Sequence, residues 1–254
     1  MRSFIKSFLH ISKLPLTSNI NKKNTVNMVH HEWVGAGLTS TYHDHTVKLH
    51  NQLADYAFNG RFDKALECIE EDPDLVNSWR LRGPEDTRPA SGWTTLHQAA
   101  LLSTSTISHI ERLISLGAWR NLTTVNTNQT AYDIAKANNR SRDILDALKP
   151  HYERRVDEEI VKNLQRGLEE VINSRVKRMI EQNRFRIPTV AVLLELQGLS
   201  LWCPIPGFYG GFHIQLKEDN SIQTESSCRV AGGSGQTHVI SPDGTWKITA
   251  DGLY

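Results

Sequence analysis

Between Gly92 and Ala137 the apolar and polar positions run through one pattern twice. The first copy reads Gly92-Trp93-Thr94-Thr95-Leu96-His97-Gln98-Ala99-Ala100 and closes at Leu113-Ile114-Ser115-Leu116-Gly117-Ala118. The second opens Thr130-Ala131-Tyr132-Asp133-Ile134-Ala135 and closes near Ile144-Leu145-Asp146-Ala147-Leu148. Leu96, Ile110, Leu113, Ile114, Ile134, Ile144, Leu145 and Leu148 recur at three- and four-residue spacing, which gives each predicted helix one apolar stripe. Ala99, Ala100 and Ala135 are small where two helices are to approach closely, and Thr94 and Thr130 carry hydroxyls suited to capping helix starts. A fainter earlier copy runs through Leu53-Ala54, Ala57 and Gly60, then Ala65–Glu70 and Pro73–Asn77. The polar stretch Arg82–Pro89 separates it from the next copy.

The pattern changes at Pro150. Val156, Ile160, Leu164, Leu168, Val171, Ile172, Met179 and Ile180 form the stripe of one long helix, with mixed charge opposite. That helix reads as a cap on the last helical pair or, alternatively, as a self-associating helix, although its stripe is too irregular for heptads. Pro188 ends it, and Val190–Leu196 fits a strand or a short helix. From Leu199 the chain is rich in β-type runs (Gly211–Lys217, Ile222–Val230, Gln236–Ser241 and Thr245–Ala250) with turns at Asp219-Asn220-Ser221 and Pro242-Asp243-Gly244.

The Gly92–Ala137 pattern resembles the ankyrin repeat, with its T-P-L-H-x-A opening and L-L-x-x-G-A close. Thr94 and Thr130 stand 36 positions apart, against a family period of about 33. The phrases Leu201–Phe212 and Ser227–His238 resemble a C-terminal module that follows ankyrin-type repeats in some bacterial and fungal proteins, a family with no established activity. The resemblance implies an α+β chain: an ankyrin-type helical repeat stack of about three units, a long connecting helix, and a small antiparallel β module at the C-terminus. The boundaries expected are 1–28 for an extension, 29–150 for the repeats, 151–187 for the helix and 188–254 for the β module. It also implies a structural role for His97, whose imidazole would bond neighbouring turns, and protein recognition rather than catalysis.

Composition narrows the function classes. Among 254 residues, 29 basic side chains face 28 acidic ones, which leaves no electrostatic footprint for nucleic acid or an anionic membrane. No apolar run approaches the roughly 18 residues of a membrane span. Three scattered cysteines, Cys68, Cys203 and Cys228, make neither a disulfide framework nor a four-ligand zinc site. The expectation is a soluble, reduced, cytoplasmic protein. The first 28 residues hold Arg2, Lys6, Lys13, Lys22 and Lys23 among serines and apolar residues, with no acid before Glu32. They read either as a mitochondrial transit peptide or as an extension outside the fold.

Several groups carry candidate chemistry. Tyr42-His43-Asp44-His45, near His30, His31 and His50, offers imidazole and carboxylate to a metal, or else forms a helical lead-in to the first repeat. Gly232–Gly235 has the composition of an anion-binding nest, with Arg229 and His238 near by, but no lysine follows as a phosphate loop requires. Cys228 with His238 has the composition of a nucleophile pair. Phe208, Tyr209, Arg229 and His238 make a candidate groove in the β module, and an enzyme or small-ligand site there is the alternative reading. The leading reading is an adaptor that binds another protein, with no cofactor and no metal. Its interface candidates are Trp93 at a turn tip, Gln98 on the following helix, and Trp119 and Arg120 in the next loop, since tryptophan and arginine are common at interface hot spots; alternatively, Trp93 and Trp119 pack on the adjacent turns.

Overall fold

The computed structural model describes residues 31–88, 90–228 and 233–253. The targeting reading of the first 28 residues, His30 and Arg229 therefore lie outside the described residues. The chain is α+β, with eight α-helices among the described residues and one five-stranded antiparallel sheet at the C-terminal end.

Six helices form three hairpins: α1 (Asp44–Phe58) with α2 (Phe62–Glu71), α3 (Thr95–Leu101) with α4 (Ile107–Ser115), and α5 (Ala131–Ala137) with α6 (Arg142–Leu148). Leu53 and Ala57, Phe62, Ala65 and Ile69, and Ile110 and Leu113 are buried at three- and four-residue intervals. Ala99, Ala100 and Ala135 are completely buried, so α3 and α5 pack at close range. Threonines start three of the helices. Thr94 and Thr106 pair with the histidines three residues on, and Thr130 pairs with Asp133, each closing a reciprocal capping box.

The expected ankyrin-type helical repeat stack is corrected here, because no helical repeat stack is evident. The six hairpin helices range from 7 to 15 residues. The link from Glu71 to Thr95 carries Trp79 and Arg82 into contacts with Arg186 and Gly37, outside the hairpins. Trp119 and Leu122, from the loop between α4 and α5, belong to the core beneath the sheet rather than to the core of the helices. Hairpins packed on one another bury similar stripes without repeating one geometry.

The long helix α7 (Glu158–Gln182) buries Leu164, Leu168, Val171, Ile172 and Val176 against the sheet and bends at Val176, where φ is −140°. Gly167 permits that contact: a Cβ there would stand 2.5 Å from Ile240 Cγ2 and 2.8 Å from Gly244 O. Val190–Leu193 forms the short helix α8, which decides between the two readings of that stretch. The strands β1 (Ser200–Ile205), β2 (Gly210–Leu216), β3 (Ile222–Cys228), β4 (Ser234–Ile240) and β5 (Trp246–Leu253) follow as a simple meander. Leu201 faces Ile214, Cys203 faces Phe212, and Ile222 faces Ile240 across the ladders, which builds one apolar face toward α7.

β1 is the strand that the hydrophobic pattern did not predict. Its Pro204 fits an edge strand, which needs no amide donor at that position. The outer edge of β1 is closed by the segment before α1: Trp202 N donates to His31 O at 2.9 Å and Trp33 N donates to Trp202 O at 2.8 Å. Gly210 and Gly211 lie within β2, where a Cβ would collide with the backbone of Ser227 and of Cys203.

Leu96 is buried at the centre of the helical core, with 1 % of its surface exposed. Leu96→Ala should therefore lower stability by about 2–5 kcal/mol in urea denaturation. An unchanged midpoint would show that this side chain is not in the core.

Candidate functional site

A groove opens between α1 and α3, with a volume of about 580 Å³. Leu53, Ala57, Phe58, Trp93 and Leu101 supply its apolar side, and Gln98 lines it from the middle of α3. Its opposite wall is the irregular chain between α2 and α3, through Ser78, Arg80, Arg82, Arg88 and Ser91. Leu81 N donates to Asn51 Oδ1 of α1 at 3.3 Å, and Arg82 N donates to Gly37 O at 2.9 Å, so both sides of that wall are pinned. Gly92 turns the chain into α3 with φ of +66°, and a Cβ there would lie 2.7 Å from Val125 Cγ2. That turn sets Trp93 at the lip.

Two of the four interface candidates thus lie in the groove, and two do not. Trp119 is buried, stacked on Trp33 with ring centroids 5.6 Å apart and planes 9° from parallel. Arg120 is turned inward: its N–H donates to Glu195 Oε1 at 3.0 Å, while the Asn121 N–H donates to Oε2 at 2.8 Å. Trp119 and Arg120 are corrected to joint residues between the helical layer and the sheet. Sequence reasoning missed Phe58, whose side chain is 67 % exposed at the groove's end. A signal existed, because Phe58 falls off the Leu53–Ala57 stripe and immediately precedes Asn59-Gly60. Arg80, Arg82 and Arg88 had no comparable signal, since only the fold brings them to the groove.

The joint beneath the groove wall is an aromatic and cationic cluster. Arg186 lies 5.9 Å from the Trp33 ring and 5.8 Å from the Trp79 ring, measured from Cζ. Its Nη2 donates to Thr123 Oγ1 at 3.1 Å, and Trp33 Nε1 donates to Arg186 O at 2.6 Å. Burial lowers the guanidinium to about 10, so it stays protonated at neutral pH. Burial also raises Glu195, against the opposing pull of the amides of Arg120 and Asn121.

Among the described residues, the candidates in the β module do not form one site. Phe208 packs against Phe212 in the core beneath the sheet. Tyr209, at φ of +55° in the β1–β2 turn, is 57 % exposed. His238 is buried on β4 with its ring 5.5 Å from Trp246, and it faces Thr224 across the ladder. Cys228 lies four positions beyond Thr224 on β3, a separation of about 13 Å along the strand. Its thiol donates instead to Phe208 O at 3.0 Å. Cys228 and His238 are therefore too far apart to act as nucleophile and base, and Tyr209 sits at the surface while His238 is enclosed. Of the nest reading, Gly232 lies outside the described residues, while Ser234 and Gly235 lie within β4, Gly235 opposite Ser227. Among the described residues, no group of three or more histidine, cysteine, aspartate or glutamate side chains could hold a metal ion. His50 is buried against Trp79 O and the Tyr42 ring.

His97, on the helix that floors the groove, bonds neighbouring turns. Its Nδ1 accepts from Thr94 N at 3.2 Å and meets Thr94 Oγ1 at 2.8 Å, while Nε2 reaches Leu122 O at 3.1 Å. A carbonyl can only accept, so the neutral ring carries its proton on Nε2. Burial lowers this imidazole to about 4, with the nearby Arg186 charge acting in the same direction. Between the ordinary value of 6.5 and about 4 the unfolded chain binds a proton that the folded chain refuses. The stability that depends on the neutral ring is complete above pH 6.5 and is lost as the pH falls toward 4, by on the order of 3 kcal/mol. Burial lowers His50 and His238 too, which adds the same sign. In urea titrations across this window, His97→Gln should be less stable than the parent at pH 7 and lose less on acidification. An equal loss in both would contradict the assignment.

Compared with protein-family models, with curated proteins and with solved structures, the chain matches none.

Proposed function

We propose that this chain is a protein-binding adaptor that reads its partner through the groove between α1 and α3. The observation that carries this reading is Phe58, a large apolar side chain left 67 % exposed beside Trp93 at a concave surface. A solitary exposed apolar residue is ordinary, whereas an apolar side chain flanking a groove that holds a half-buried tryptophan has the composition of an interface hot spot. Hydrogen bonds hold both the α3 side of the groove and part of the wall opposite. α3 is capped by Thr94 and His97, and the opposite wall is hydrogen-bonded to α1 and to Gly37. A preorganised surface loses little entropy when a partner docks. Cys68, Cys203 and Cys228 are all free, which supports a reducing compartment such as the cytoplasm. Among the described residues, no helix is long and apolar enough to cross a membrane.

Partners captured by the intact chain should be tested against Phe58→Ala, Trp93→Ala and Tyr209→Ala. Each groove variant should weaken capture by about 2 kcal/mol or more while the circular dichroism spectrum is kept. Tyr209→Ala should have no effect. Silent groove variants combined with loss of capture in Tyr209→Ala would move the reading surface to the β1–β2 turn and overturn the proposal.

A further inference from the structure

The charge around the groove says what kind of partner it takes, an inference that rests on the protein-binding reading above. Three arginines, Arg80, Arg82 and Arg88, line it, and no carboxylate does. Arg80 is held by Asp55 on α1. Arg82 and Arg88 share a single carboxylate, Asp86, at 3.1 and 2.8 Å, and the Arg88 side chain is 73 % exposed. Behind the same wall, the Arg184 guanidinium donates to the carbonyl oxygens of Asp86 and Pro84. Arg186 has no carboxylate partner among its hydrogen bonds, and its Nη1 would lie 3.3 Å from a Cβ placed on Gly92. Three guanidinium groups thus line one wall of the groove against Asp55 and Asp86, in a chain whose overall balance is only +1.

A second observation lies in the wall itself. Ser78 lines the groove, is 3 % exposed, and its Oγ has no hydrogen-bond partner. The Nε of Arg82, on the same wall, is likewise buried without a partner. Buried polar atoms left unpaired are costly, and a ligand oxygen that reaches them recovers the loss. A carboxylate suits this set because it accepts from a guanidinium fork and from a hydroxyl at the same time. On the facing side, Phe58, Trp93, Leu101 and Ala57 offer apolar contact and no charge.

The geometry points to an acidic peptide segment of a partner protein as the occupant: a bulky apolar side chain seated against Phe58 and Trp93, with an aspartate or glutamate reaching Arg88 and Ser78. The same charge disfavours the chain's own first thirty residues as the occupant, since these are basic and hold no acid.

Panning a random-peptide display library on the full chain tests this. Recovered peptides should combine an acidic residue with a bulky apolar one. Their affinity should fall steeply with added salt and drop at least about tenfold in the Arg80→Ala, Arg88→Ala double variant. Both positions are solvent-facing, so that variant should keep the parent's thermal midpoint. Peptides that lose binding in Trp93→Ala but lack acidic residues, or that ignore the arginine variant, overturn the charge preference and leave the groove reading standing. A selection with no binder sensitive to Trp93→Ala overturns both. A synthetic peptide of residues 1–30 that competes with the selected peptides overturns the acidic occupant in favour of self-docking.

Discussion

A largely enclosed guanidinium, with no carboxylate partner among the described residues, fixes how the two halves of this molecule meet. Arg186 follows the end of α7 and lies between the rings of Trp33 and Trp79, one from the chain before α1 and one from the groove wall. Removing a charge from water is expensive, and two aromatic faces return on the order of 1–2 kcal/mol each when they are desolvated. The Trp33 ring also stacks on Trp119, and its Nε1 donates to the Arg186 carbonyl. Four segments distant in sequence thus share one contact.

The groove inherits its shape from that contact. The chain from His31 to Thr39 runs along the joint, bonding Trp202 at the edge of β1, Arg186 below the wall, Asn183 at the end of α7 and Arg82 in the wall itself. Gly35 is tied to this course, because a Cβ there would stand 2.6 Å from Arg186 O and 2.4 Å from the Phe185 ring. The Trp79–Arg82 stretch is consequently held from two directions, by α1 and by this strap. Its arginines are presented on a fixed backbone, which is what allows a carboxylate to be bound without ordering a loop.

The parts of the fold that depend on local pattern were legible in the sequence. Leu96, Ala99 and Ala100, or Leu164, Leu168 and Val171, announce helix faces because burial follows the helical period. The threonines at 94 and 130 announce helix starts because a cap is built from its immediate neighbours. The stripes did not settle how helical hairpins relate to one another, since that relation is set by residues that leave the pattern. Trp119 reads as an exposed loop aromatic until Trp33, 86 positions earlier, is seen to stack on it. Arg186 reads as one more charge near the end of a charged helix. Pro204 argues against a strand, yet β1 is an edge strand closed by the Trp33 segment, where that proline costs no ladder bond. The candidate site divides along the same line. Trp93 and Gln98 lie on a helix start that the pattern placed, whereas Phe58 and the arginines are joined to them only by long-range packing.

The central claim is that the Trp33–Arg186–Trp79 contact holds the sheet and the groove wall together. Hydrogen–deuterium exchange on Trp33→Ala, compared with the parent chain, addresses it most directly. The account predicts faster exchange at two remote places at once, the Trp202 amide at the edge of β1 and the Thr39 and Arg82 amides at the groove wall, with the interior of α5 unchanged. Parent-like protection at Trp202 and Arg82 in the variant would contradict it.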